Sequence, residues 1–436
     1  MTFPTRIFRA PVGVIVLLVC ALPLLSGCDE GSLNAPEIQS GGENGNLFNS
    51  YVALGNSITA GFQSGGINED LQRDSYAVLL AEQMNTPFGV PALSNPGCPP
   101  PLQQIFPPQR ISDVECALRQ PSSSGVRNVA IPGALVLDAL TNNTDNGADP
   151  NELTNFILGG RTQIEAATSK NPTFASVWLG NNDALDAALA GEPDSLTSQS
   201  DFESNYKSIL DQLESAGAEG GVIANVFDVT QVPNLSPGVA YYQARSSLPI
   251  SVDGNCDLTA NGGVGDQVFI SFRYGATLLQ VARSTGQSVT LDCQDNRTLA
   301  QIFGDALLDQ LELSDEEKKY SILIEAPTNA APGTNANEIT QIRSAVQDYN
   351  NFLSQEAQDR GWAYVDANSV LDNLHSDPTL VPRFPDLQNT PTFGPVFSED
   401  GIHPNSEAHQ LIANEFINAI NSKYGSSLQN VESASF

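Results

Sequence analysis

Only three histidines occur in 436 residues, His375, His403 and His409, and there is no Cys-x-x-Cys pair. A structural zinc site draws four N or S ligands from short spacings, so this sequence offers no zinc-held architecture. Positive charge is equally scarce. Lys+Arg 19 stand against Asp+Glu 50, a formal net charge of −31. Nothing here supplies the basic face that a nucleic-acid partner requires. Acidity this one-sided normally means a solvated, mutually repelling surface, and the shortage of lysine allows a second reading, adaptation to high salt. No internal repeat of fixed period is present, nor the G-x-S-x-G elbow of an α/β-hydrolase. The longest apolar run, Pro11 to Leu25, is too short to cross a bilayer comfortably.

That run has a different meaning. Arg6 and Arg9 precede it and Ser26-Gly27 follow, just before Cys28, so residues 1–27 have the layout of a signal peptide. Leu25-Ser26-Gly27-Cys28 also resembles the bacterial lipobox, whose cysteine is acylated and becomes the mature N-terminus. Acyl chains on Cys28 would anchor the protein to a membrane without a transmembrane helix. Residues 28–47 then read as a flexible tether. The expected location is the bacterial cell envelope, outside the cytoplasm. Cys20 would leave with the leader, and Cys98, Cys116, Cys256 and Cys293 remain. Four cysteines in an exported chain suggest two disulfides with three possible pairings, of which nearest-neighbour joining is the simplest.

From residue 48 onward, buried-strand and helix patterns alternate. Tyr51–Leu54, Val126–Ile131, Phe174–Leu179, Gly221–Phe227 and Trp362–Asp366 are apolar runs of strand length. Helical spacing covers 73–84, 201–216, 335–360 and 405–422, and Pro132-Gly133-Ala134 is expected to open another helix. The pattern predicts an α/β domain over 48–423 with a parallel sheet covered on both faces, followed by a tail over 424–436. Residues 235–325 break the rhythm. They are too long for a structureless loop and are expected to be an insertion.

Four short stretches fall at strand ends or helix starts, the edge of an open α/β sheet where ligands bind. They are Gly55-Asn56-Ser57, Pro132-Gly133, Gly180-Asn181-Asn182-Asp183 and Asp400-Gly401-Ile402-His403-Pro404. Together they carry what acyl transfer needs. The Ser57 hydroxyl is a poor nucleophile without a base, which His403 can be. Asp400, three residues earlier, can orient that base. The Ser57 N–H, the Gly133 N–H and the Asn182 amide can meet a developing oxyanion. His409 falls within the last helical pattern and His375 near no motif, so both are read as surface or packing residues.

These stretches, in this order, resemble the conserved blocks of the SGNH/GDSL hydrolase family. The likeness spans about 48–234 and 335–423 and leaves the insertion outside. It implies a three-layer, flavodoxin-like α/β/α fold, no cofactor or metal, and hydrolysis of esters or thioesters through Ser57, His403 and Asp400. The family's first block usually reads Gly-Asp-Ser, whereas this chain has Gly55-Asn56-Ser57. Asn is nearly isosteric with Asp, so local geometry rather than chemistry should be affected. The expected substrate is a small-molecule, lipid or acylated-glycan ester, with lipase, phospholipase and carbohydrate deacetylase all open, and the chain is expected to act as a monomer. A non-catalytic surface lipoprotein that keeps the fold and binds lipid or glycan is the competing class. The insertion, leaving just after the 221–227 strand, is expected to cap the catalytic edge rather than decorate the sheet's far side.

The charge imbalance generates a test. Screening shortens from ~10 Å at 0.1 M salt to ~3 Å at 1 M, so the melting temperature is expected to rise between low and molar NaCl. A flat or falling curve would reduce the acidity to a solubility device.

Overall fold

The computed structural model describes residues 46–114, 116, 125–141, 152–315, 317–325 and 337–432. The leader, Cys28 and most of the tether lie outside them. No described helix is long and apolar enough to cross a membrane.

Four strands form the central sheet: β1 (Tyr51–Gly55), β2 (Phe174–Trp178), β3 (Gly220–Ala224) and β4 (Ala363–Val365). Their spatial order is β1-β2-β3-β4 and every pairing is parallel. Continuous apolar sequence rather than alternation produced this arrangement. Such strands bury both faces, and every residue of β1, β2 and β3 is buried. Residues 127–131 run beside the outer edge of β1. The Ala53 N–H donates to the Arg127 carbonyl (3.0 Å), and the Val129 and Ile131 N–H groups donate to Ala53 and Gly55 (2.9 and 3.1 Å).

Two helical layers enclose the sheet. On one face Tyr76–Gln83 packs against Ser406–Tyr424, whose Phe416, Ile417 and Ile420 are fully buried. On the other lie Gln163–Thr168, Gln199–Ser215 and Glu338–Arg360. This is the three-layer α/β arrangement the alternating pattern predicts. Because Gly55 of β1 pairs with Trp178 of β2, the turns after both strands open at the same sheet edge. Ser57 and Asn182 are carried by those two turns.

Two local expectations need correction. Pro132-Gly133 opens no helix among the described residues; Gly133 has φ +81° in a turn, and a 3-10 turn, Leu137–Ala139, follows. The 73–84 helix is split into Glu69–Arg73 and Tyr76–Gln83, because Ser75 is extended and starts a new helix.

The insertion has its own hydrophobic core, including Tyr241, Cys256, Ile270, Leu278, Leu291 and Cys293. Its central strand, Val268–Ser271, is flanked by antiparallel Leu235–Pro237 and Leu323–Ile324. The chain therefore leaves and re-enters the domain through one small sheet. Disulfides join Cys98 to Cys116 and Cys256 to Cys293, the nearest-neighbour pairing. Cys256–Cys293 closes a sequence separation of 37 residues, for which chain entropy gives a stabilisation of about 4 kcal/mol. The double replacement Cys256→Ser/Cys293→Ser is expected to lower the denaturant midpoint, and dithiothreitol should affect the wild type more than the variant. Equal midpoints would show that the bond contributes nothing.

Candidate active site

Ser57 begins a four-residue helix directly after β1. The turn into it is tight. A Cβ on Gly55 would lie 2.1 Å from Thr59 Oγ1 and 3.0 Å from the Trp178 carbonyl oxygen, so only glycine fits. The buried Gln163 amide fixes this strand end by accepting from the Gly55 N–H (3.0 Å) and donating to its carbonyl (2.9 Å). Asn56 caps the helix, its Oδ1 accepting from the Ile58 N–H at 3.2 Å. An aspartate carboxylate would make the same bond, which is why the departure from Gly-Asp-Ser leaves the local geometry intact. The Ser57 N–H belongs to the first helical turn, whose donors have no intrahelical partners.

The residues from Ser398 to Pro404 form a loop before the last helix, which Asn405 caps by accepting from the Ala408 N–H at 2.9 Å. Asp400 is buried within that loop. Its Oδ2 accepts from His403 Nδ1 (2.8 Å) and from the Gly65 N–H (2.7 Å). Its Oδ1 accepts from the N–H groups of Ile402 and His403 (both 2.9 Å) and from the Ser398 hydroxyl (3.1 Å). Burial alone would push this carboxyl up, but the His403 charge and these hydrogen bonds outweigh it and hold the carboxyl at about 2.

Since an ionised carboxylate only accepts, His403 Nδ1 carries the proton and Nε2 presents its lone pair. Nε2 lies 2.8 Å from Ser57 Oγ. The three side chains placed together by sequence reasoning are thus joined in one hydrogen-bonded row. Phe62 packs against the imidazole with ring centroids 5.0 Å apart.

The Gly180–Asp183 stretch meets the segment that follows Pro132-Gly133. Asn182 Nδ2 donates to the Ala134 carbonyl (3.0 Å), leaving its second N–H free of that bond. Asp183 Oδ2 accepts from the Val136 N–H (3.1 Å). These neighbours therefore clamp 134–136, the segment that follows Gly133. Asp183 is fully buried, and burial lifts its carboxyl to about 6 against the hydrogen bonds from Thr197 and Val136.

The other histidines are separate. His409 is fully buried, and its Nδ1 accepts from the Tyr76 N–H at 3.2 Å. Burial, with the nearby His403 charge, lowers it to about 3, so it is a neutral packing group. His375 closes the Ala367–His375 helix, with Arg383 and Asp228 as charged neighbours. A small apolar pocket of about 70 Å³ has Ile58, Ile402 and Pro404 in its wall, which adjoin Ser57 and His403 in sequence.

Sequence reasoning missed Gly65, Ser398 and Asn234. Asn234 Nδ2 donates to the Asp400 carbonyl at 2.8 Å. Gly65 and Asn234 act from 335 and 166 residues away in sequence, and no local pattern marks them.

A serine, an imidazole and a buried carboxylate in a row at the edge of a parallel α/β sheet define the class of serine acyl hydrolases. Residues 51–261 match the family described as GDSL-like Lipase/Acylhydrolase. The chain is a carboxylic ester hydrolase. The matched stretch includes Ser57, Gly133 and Asn182 and ends before Asp400 and His403. No curated protein sequence matches the chain. Among solved structures, an acetylxylan esterase from Geobacillus stearothermophilus is 12% identical, with a TM-score of 0.35 over 85% of this chain and 93% of that one. An α/β hydrolase from the metagenome of Lake Arreo, Spain, is 13% identical, with a TM-score of 0.33 and the same coverage. Likeness that low carries nothing about substrate to this chain.

Asp183 provides a pH test. Its folded carboxyl titrates at about 6 and an unfolded one at 3.8, so folding binds its proton more tightly and stability is lost as pH rises through this window. Asp183→Asn keeps an acceptor for Val136 and removes that loss. The variant should match wild type at pH 4 and exceed it at pH 8, by at most about 3 kcal/mol. Equal stability at pH 8 would show that the buried carboxyl imposes no cost.

Proposed function

We propose that the protein is a serine esterase of the bacterial cell envelope, anchored through an acylated Cys28, and that Ser57, His403 and Asp400 are its catalytic triad. The observation that carries the triad is the row Ser57 Oγ–His403 Nε2 and His403 Nδ1–Asp400 Oδ2, each contact 2.8 Å. In the reaction, His403 Nε2 takes the Ser57 proton as Oγ attacks the ester carbonyl. The tetrahedral oxyanion is met by the Ser57 and Gly133 N–H groups and the Asn182 amide. The imidazolium, supported by the Asp400 carboxylate, then protonates the leaving alkoxide. Water, activated by the same imidazole, attacks the acyl-serine and releases the acid.

The envelope location is supported by the order of charged, apolar and small residues before Cys28 and by the two disulfides, which form in oxidising compartments. The ester's acyl and alcohol parts are supplied by a lipid, a small molecule or an acylated glycan.

A p-nitrophenyl ester assay on residues 46–436 tests the reading. Ser57→Ala and His403→Ala should each lower kcat by about 10⁴-fold or more, and a fluorophosphonate should label Ser57 alone. His409→Ala should lower the melting temperature, because it leaves the Tyr76 N–H unpaired, with kcat of the folded protein within a few-fold of wild type. No hydrolysis of any ester together with an unreactive Ser57 would favour the non-catalytic binding protein. Labelling of another serine would discard the triad.

A further inference from the structure

The insertion is joined to the loop that carries Asp400 and His403, and one buried residue, Asn234, makes the hydrogen bonds to both sides. Asn234 sits at the insertion's root, one residue before the Leu235–Pro237 strand. It has 8% of its surface exposed. Its two kinds of hydrogen-bonding group face opposite ways. Both donors serve the catalytic loop: the backbone N–H donates to the Gly401 carbonyl (2.8 Å) and Nδ2 to the Asp400 carbonyl (2.8 Å). Both acceptors serve the insertion, since the Asn234 backbone carbonyl and Oδ1 receive the Phe272 N–H (2.7 and 3.2 Å). Phe272 is the first residue of the Phe272–Thr285 helix.

A second contact joins the same partners. The Phe272 ring meets Phe393 edge-on, with centroids 5.6 Å apart. Phe393 in turn closes over Gly401, where a Cβ would lie 2.7 Å from the ring and φ is +68°. Residue 401 must therefore be glycine, and its carbonyl is directed at Asn234. The backbone carbonyls on either side of the Asp400–Gly401 peptide turn are thus tied to the insertion. The Asp400 carboxylate is tied to the Gly65 N–H and to His403.

We infer that Asn234 is a positioning residue for the triad, through which the folded insertion holds the Asp400–Gly401 turn so that the carboxylate meets His403 Nδ1. The inference rests on the esterase reading above. It follows from the chemistry of the amide. The backbone carbonyl of residue 234 already holds the Phe272 N–H at 2.7 Å, so what the side chain adds is the donor to the Asp400 carbonyl and a second, longer acceptor for Phe272. A turn freed at its carbonyls lets the carboxylate drift, and a displacement of about 1 Å at a catalytic group costs on the order of 10²-fold in rate. Substrate binding does not depend on this bond, so the loss belongs to kcat.

The test uses Asn234→Asp, which keeps shape and acceptor but cannot donate to the Asp400 carbonyl as a carboxylate, with Asn234→Ala beside it. Fluorophosphonate titration counts competent Ser57 sites, so kcat is expressed per reactive site and misfolded protein drops out. Both variants are expected to lose 10- to 100-fold in kcat per site, with KM within about threefold. The rate of Ser57 labelling should fall by the same factor, and the acidic limb of the kcat/KM profile should move as His403 loses its aligned carboxylate. A lower melting temperature with unchanged kcat per site and an unmoved acidic limb would overturn the inference and leave Asn234 as a structural link only. Ser57→Ala, measured in parallel, keeps the two failures apart. Activity that survives Ser57→Ala sinks the triad itself, whereas activity lost in Ser57→Ala but kept in both Asn234 variants sinks only the coupling.

Discussion

The hydrogen-bonding of one buried carboxylate constrains the rest of this site. Asp400 receives five donors. Three of them, the Ile402 and His403 N–H groups and the Ser398 hydroxyl, come from its own loop and set the turn. One, the Gly65 N–H, comes from the segment just after Ser57 and brings the first and last parts of the domain together. The fifth is the His403 imidazole. The Gly65 contact is the one that ties the carboxylate itself to the segment that follows the Ser57 helix. The Ser64 N–H to the Ser398 hydroxyl (2.8 Å) and the Glu399 N–H to the Ser64 hydroxyl (3.1 Å) close the same seam. Ser57 and His403 are therefore held by a buried lattice of short polar contacts, which fixes the 2.8 Å spacing between Oγ and Nε2.

What could be read in the sequence follows the range of these contacts. The Asp400–His403 bond spans three residues, and a short turn between the right residue types announces it. Gly55-Asn56-Ser57 is likewise a local event, a strand stopped by a residue without a side chain and a helix started by a capping amide. The strands were legible because a parallel sheet covered on both faces demands unbroken apolar runs, as at Phe174–Trp178. Gly65, Ser398 and Asn234 were not legible, since they act through a backbone N–H 335 residues away, a common hydroxyl and an amide 166 residues away. The Pro132-Gly133 expectation failed for a related reason. Proline suits a helix start, but Gly133 at φ +81° turns the chain instead, and what holds 134–136 is Asn182 and Asp183 from another loop.

The insertion shows how a segment outside the matched pattern becomes part of the same mechanical unit. It has a separate core and its own disulfide, so it folds around itself. Yet it also meets the enzyme domain through Phe272 on Phe393 and Tyr241 on Phe384, the latter pair 5.0 Å apart and perpendicular. Edge-on aromatic pairs contribute roughly 0.5–1.5 kcal/mol each beyond their burial, so two of them resist sliding of one body on the other. The segment touches the loops near Asp400 through these rings, and it also packs on the helices Asn182–Ala190 and Glu338–Arg360, where the Ile324 N–H donates to Glu338 Oε2 (2.8 Å).

Three buried acids show why the site works in so acidic a chain. Asp183, Glu338 and Asp400 all lie within the protein, and burial disfavours the charge of each. For Glu338 the main compensation is one backbone donor, Ile324, while Glu325 repels it, and its carboxyl rises to about 7. For Asp183 the bonds from Thr197 and Val136 fall short, and it rises to about 6. Asp400 alone has an imidazole beside it and four further donors, and it falls to about 2. Net charge is not what decides, because the same −31 surrounds all three. The local partners do: for Asp400 the His403 charge comes first and the hydrogen bonds after it, and together they keep the carboxylate ionised beside the imidazole. A neutral carboxyl there could donate as well as accept, and the tautomer of His403 would no longer be fixed by its partner.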